Sequence, residues 1–149
     1  MSAETNWRLE PVGGGVTAPS GFRATGVSCG IKPSGLDLAL LVPDAEAAAA
    51  GLFTTNLVQA APVVLTRKHL VQSGGRASAI VVNSGCANAC TGAGGLEVAR
   101  ETAELLARRM ECSPDRILVC STGVIGVPLD IRRIANGIRT GLENLGPDG

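Results

Sequence analysis

Aromatic side chains are nearly missing from this sequence: its 149 residues hold two Phe, one Trp and no Tyr. A core without large rings must be filled by closely packed Ala, Val, Leu and Ile, and 20 glycines allow that closeness, which favours layered α/β packing. Net charge is missing too. The 13 basic and 13 acidic residues cancel and are scattered, which argues against a nucleic-acid or anionic-membrane surface. No stretch approaches the roughly 18 to 20 apolar residues of a membrane span. Met1 to Trp7 has neither the apolar run of a signal peptide nor the Arg-rich face of a transit peptide, so the reading is cytoplasmic.

Histidine is reduced to His69, and the five cysteines (Cys29, Cys86, Cys90, Cys112, Cys120) are odd in number and sit among apolar neighbours. Reduced thiols fit that pattern better than a disulfide framework. Cys86 and Cys90 have a spacing that a metal can use, but a second close pair is missing and His69 lies in another segment, so no metal is expected. The same shortage weakens nucleophilic schemes. Cys86 with His69 as base is the one available pair, and a His within Arg67-Lys68-His69 reads more naturally as a solvated surface residue. Glu101 and Glu104 read as solvated carboxylates on a helix surface.

What is present is organised as one domain. Residues 1–14 end in a glycine run and read as a loose arm, with the fold occupying 15–149. Phe22 to Ile31 and Leu36 to Val42 read as two paired strands joined by Lys32-Pro33-Ser34-Gly35. Ala45 to Ala50 has room for a helical turn or two, Pro62 to Thr66 reads as a strand and Arg67 to Ser73 as a short helix. Ala77 to Asn83 has the unbroken apolar character of a strand buried on both faces. Leu96, Ala99, Ala103, Leu106 and Met110 mark an amphipathic helix over about 95–112, followed by a strand Ile117 to Cys120. A second amphipathic helix is outlined by Ile131, Ile134, Ala135, Ile138 and Leu142, in which Gly137 and Gly141 each cost about 1 kcal/mol relative to Ala.

Two glycine-containing segments stand where α/β proteins place ligand-binding groups, after an apolar strand and before a helix: Asn83 to Gly92, and Ser121-Thr122-Gly123-Val124-Ile125-Gly126. At Thr122-Gly123 a hydroxyl and a backbone N–H can form an oxyanion hole; an ordinary tight turn, with Gly126 at positive φ, accounts for the same residues. The Asn83 loop lacks the Lys of a phosphate-binding loop and the spacing of a dinucleotide fingerprint, and either lines a pocket or satisfies its own backbone.

Four blocks in order, Gly15-Val16-Thr17-Ala18-Pro19-Ser20-Gly21-Phe22-Arg23-Ala24, Phe53-Thr54-Thr55-Asn56 with Ala60-Ala61-Pro62-Val63, the loop from Val81 to Gly92, and Ser121 to Gly126, closely resemble the bifunctional glutamate N-acetyltransferase (ornithine acetyltransferase) family. That resemblance implies a layered α/β fold of the ornithine acetyltransferase type, with this sequence as its N-terminal portion, incomplete at the C-terminus. It implies a precursor that cuts itself, and a Thr at the start of the second (β) chain that carries acetyl from N-acetylornithine to glutamate in arginine biosynthesis. Acetyl-CoA is a co-substrate in some members, no other cofactor is implied, and assembly is a hetero-oligomer of paired chains. By match to the family motif, Thr122 and Gly123 are the oxyanion-hole pair. The cleavage junction, the nucleophile and the remaining substrate contacts fall beyond position 149, so this polypeptide alone is expected to turn nothing over. A non-catalytic chain or a related N-terminal-nucleophile amidohydrolase is the alternative reading.

Overall fold

The computed structural model describes residues 9–148, so the first eight residues of the expected arm lie outside the described part. Strand β1 (Phe22–Val27) and strand β2 (Leu38–Pro43) pair antiparallel, as their apolar patterns predict. A two-residue strand β3 (Ala47–Ala48) follows, then helix α1 (Ala61–Gln72), strand β4 (Arg76–Ala77) and strand β5 (Ala79–Cys86). Helix α2 (Gly92–Met110), a 3₁₀ turn (Pro114–Arg116), strand β6 (Ile117–Val124) and helix α3 (Ile131–Glu143) complete the order. The main sheet runs β1-β2-β5-β6, antiparallel except for β5 and β6, which are parallel and joined by α2. This is the expected α/β class.

Two expectations of element type fail. Pro62 to Thr66 does not form a strand: 61–72 is one continuous helix, with Pro62 in the first turn, where a missing N–H costs nothing. The β-branched run Val63, Val64 and Thr66 is overridden by docking on β6, where the Thr66 hydroxyl donates to Val119 O (2.8 Å) and accepts from Val119 N–H (2.9 Å). The alanines near 47 form β3 rather than a helical turn, because they pair with β4.

Leu38, Leu40, Val42, Ala79 and Val81 on one sheet face meet Leu65 of α1, Ala99, Ala103 and Leu106 of α2, and Ile134 and Ile138 of α3 to make the core. Ile80 and Val82 alternate with these and are half-buried rather than enclosed, so β5 is not covered on both faces. The second sheet face carries Leu41, Ile80 and Leu118, roofed at one end by the Ala47–Ala50 segment.

The glycines of α3 have a packing role. A Cβ at Gly137 would stand 2.8 Å from Leu38 Cδ1 and one at Gly141 2.9 Å from Leu40 Cδ1. The propensity lost inside the helix is exchanged for close contact between helix and sheet.

Candidate functional site

Strands β5 and β6 run side by side to a common end, in the register Ser84 with Thr122, Gly85 with Gly123 and Cys86 with Val124. Ser121 to Val124 are therefore the last residues of a strand, and of the tight-turn reading only the positive φ of Gly126 is found. The pairing of the two glycines is the decisive local feature. Gly85 has φ +106° and Gly123 φ +128°, regions that L side chains rarely adopt. A Cβ on Gly123 would stand 2.6 Å from Cys86 N and 2.7 Å from Gly85 Cα, and closer still to Gly85 C. The backbones touch there, and Thr122 and Gly123 stand exposed at the strand end.

The segments beyond the strands are bound to one another. Ala87 N–H donates to Val124 O (2.9 Å) and Gly126 N–H to Ala89 O (2.9 Å), with Gly126 at φ +79°. The Cys86 thiol donates to Val127 O (3.2 Å). Asn83 and Asn88 are buried and serve the backbone: Asn83 Nδ2 donates to Cys86 O and Asn88 Nδ2 to Gly95 O, each at 2.8 Å, while Thr91 Oγ1 donates to Asn88 Oδ1 at 2.8 Å. Of the two readings of this loop, its Asn side chains follow the self-satisfying one. The pocket-lining reading holds at the loop's far end, where Cys90, Thr91 and Gly92 join Leu57, Val58 and Leu96 around a cavity of about 390 Å³; Thr122 and Gly123 are not among its walls.

His69 is not on the surface. It is 5% exposed, with Nδ1 2.8 Å from Ile117 O at the start of β6. Cys86 pairs with Val124 at the other end, seven residues along, or roughly 23 Å at about 3.3 Å per residue. No hydrogen bond spans that gap, which excludes the Cys86–His69 couple. Glu104 lies 3.7 Å from the Arg108 guanidinium in an ordinary helix-surface pair. Among the described residues, no group of three or more His, Cys, Asp or Glu gathers to hold a metal ion, and no helix is long and apolar enough to cross a membrane.

One residue at this end of the sheet was not singled out by the sequence. Asp37 is buried, and its carboxylate accepts the N–H groups of Cys29 (2.7 Å) and Lys32 (2.9 Å). Burial pushes its pKa up, but these backbone donors more than offset that and hold the carboxyl below the usual aspartate value. Beside it the Cys29 thiol is pushed up to about 12, by burial first and then by the Asp37 carboxylate. An acidic residue set between Leu36 and Leu38 at the head of an apolar strand was the available signal.

The model of the ArgJ family matches residues 23–148. The chain belongs to the ArgJ family. It is 60% identical over 127 residues to the arginine biosynthesis bifunctional protein ArgJ of Gloeobacter violaceus, covering 85% of this chain and 31% of that protein. It is 49% identical over 144 residues to the ArgJ of Symbiobacterium thermophilum, covering 95% and 35%. The chain thus spans about a third of the length of these curated relatives. Among solved structures, ArgJ of Bacillus halodurans superposes with a TM-score of 0.81 at 40% identity, covering 85% of this chain and 65% of that one. The ornithine acetyltransferase of Mycobacterium tuberculosis, complexed with ornithine, gives a TM-score of 0.85 at 43% identity, covering 90% and 72%. The fold of this ArgJ-family chain is therefore that of the ornithine acetyltransferases.

Proposed function

We propose that this chain supplies the oxyanion hole of an acetyltransferase that moves acetyl from N-acetylornithine to glutamate in arginine biosynthesis. The observation that carries the reading is the Gly85–Gly123 contact, which brings Thr122 and Gly123 to an exposed strand end inside a family-matched segment. The Thr122 hydroxyl and the Gly123 N–H are the two donors. A threonine Oγ from a second chain, released by cleavage of the precursor, attacks the acetyl carbonyl. The C–O bond forms, the carbonyl electron pair moves onto oxygen, and the two donors stabilise that charge. Collapse expels the ornithine amine, which takes up the proton, and leaves an acetyl ester on the threonine. The glutamate amine then attacks that ester through the same oxyanion geometry and regenerates the hydroxyl, so one difficult transfer becomes two easier ones. Acetyl-CoA enters, where it is used, as an alternative acetyl donor.

The exposure of the pair supports assembly with that second chain, because such donors are strongest where water is excluded. The half-open second sheet face, with Leu41 and Ile80 on it, supports a partnered complex of paired chains in the same way. The free thiols suit the cytoplasm. The test uses the complete enzyme, in which this chain is joined by the remainder that its longer relatives carry. Thr122→Ala is expected to lower kcat by about 100- to 1,000-fold, and this chain alone is expected to give no transfer. Turnover by a homogeneous preparation of the chain alone would overturn the placement of the nucleophile, and an undiminished Thr122→Ala enzyme would overturn the oxyanion role.

A further inference from the structure

We infer that Asp37 is a positioning residue for Thr122–Gly123, latching the loop of residues 28–36 as a buttress behind Gly85; this rests on the acetyltransferase reading above. The contacts form an unbroken chain. The Asp37 carboxylate holds Cys29 N–H and Lys32 N–H, its own carbonyl accepts Ser84 N–H (2.9 Å), and its N–H donates to Val27 O (2.9 Å). A single residue therefore ties the loop, β1 and the end of β5 together, one position before Gly85.

The loop then presses on Gly85 itself. A Cβ there would stand 2.7 Å from Lys32 Cγ and 3.0 Å from Ile31 Cγ2, so the two side chains lie directly on the glycine backbone. Gly85 in turn lies against Gly123. Loop, Gly85 and Gly123 are stacked without a gap, and displacement of the first is transmitted to the backbone of the last. The loop is held from the α3 side as well: the Arg133 guanidinium donates to Gly30 O, and Cys29 Cβ lies 3.0 Å from where a Gly137 Cβ would stand.

The chemistry of the latch explains why an acid occupies the site. Two backbone N–H groups point at it, and an ionised carboxylate accepts both, whereas an amide would turn its own NH₂ toward one of them. Asp37→Asn keeps the shape and breaks one of the two bonds. An oxyanion donor matters most in the transition state, so loosening it lowers kcat rather than raising KM.

Kinetics of the complete enzyme with N-acetylornithine and glutamate, well below its unfolding temperature, supply the test. Asp37→Asn is expected to lower kcat by about 100-fold, the scale of a misplacement near 1 Å, with KM little changed. In a Thr122→Ala background the same substitution is expected to cost much less, because both act through one group. Leu106→Ala, buried in the core far along α2 and destabilising in its own right, should keep kcat. Ile31→Ala removes one contact on Gly85 and leaves the latch whole, so it carries the test if Asp37→Asn does not fold; its expected result is a fall in kcat with KM steady.

An Asp37→Asn kcat near wild type, a loss matched by Leu106→Ala, or full additivity with Thr122→Ala overturns the positioning role and leaves the acetyltransferase reading standing. So does an Ile31→Ala kcat near wild type if that variant carries the test. Absence of transfer by the wild-type complete enzyme overturns both.

Discussion

Replacing Gly123 by Ala is the sharpest probe of the strand-end geometry. The added methyl meets two independent obstacles. The backbone at φ +128° lies outside the left-handed well that some L residues tolerate, a strain of about 1–3 kcal/mol. The methyl itself would overlap Gly85 C, with Cys86 N at 2.6 Å and Gly85 Cα at 2.7 Å, all backbone atoms of a paired strand that cannot swing aside. Overpacking of that kind costs about 1–3 kcal/mol more. The sum is about 2–6 kcal/mol, a large part of the about 5–15 kcal/mol of a typical domain. Gly85→Ala is the informative partner. It has similar strain at φ +106°, but its methyl first meets Lys32 Cγ, part of a flexible side chain. Urea unfolding followed by circular dichroism should rank wild type above Gly85→Ala above Gly123→Ala. With a slope of about 2 kcal/mol per molar urea, the Gly123→Ala midpoint should fall by about 1–3 M. A Gly123→Ala protein unfolding within about 0.3 M of wild type, or one more stable than Gly85→Ala, would refute the contact argument.

Thr66→Val removes a hydroxyl that both donates to and accepts from Val119, leaving a buried N–H and C=O of β6 unpaired; a loss of about 2–4 kcal/mol is expected from the same urea titration. Asp37 makes stability pH-dependent: its folded pKa lies below the unfolded one, so its stabilisation is complete above the ordinary aspartate range and is lost as pH falls through and below it. Between pH 6 and pH 3 the melting temperature of wild type should therefore fall more than that of Asp37→Asn, and equal falls would remove Asp37 as the cause. Gly137→Leu should destabilise by several kcal/mol despite raising helix propensity, because Leu38 and Cys29 occupy the space; a stabilised variant, read from its urea midpoint, would show that α3 does not pack as closely as described.

The elements with strong periodicity are legible in the sequence alone. Helices α2 and α3 repeat apolar residues at three and four, and β5 and β6 are apolar runs bounded by polar residues, so their existence and type follow from local pattern. Helix α1 was not legible as one helix. Its β-branched residues favour a strand locally, and docking on the sheet, with Leu65 in the core and Thr66 and His69 bonded to β6, decides for a helix. His69 was misplaced for the same reason: flanking Arg67 and Lys68 suggest solvent, while the helix turns the imidazole inward to Ile117 O.

At the candidate site the sequence supplied residue types and order. Thr122 and Gly123 follow an apolar strand, and of the four blocks that resemble the family, the one from Ser121 to Gly126 contains the same pair. Residues tens of positions apart become neighbours only when the sheet forms. The register of β5 on β6 sets Gly85 against Gly123, and the β1–β2 connection carries Ile31 and Lys32 onto Gly85. Local periodicity is enough for the α/β class and the two principal helices, and motif is enough to nominate Thr122 and Gly123 as candidate donors. The contact between the glycines, the buried place of His69 and the latch at Asp37 were decided by tertiary structure alone. Each depends on hydrogen bonds and close contacts between segments whose separation in the chain says nothing about their distance in space.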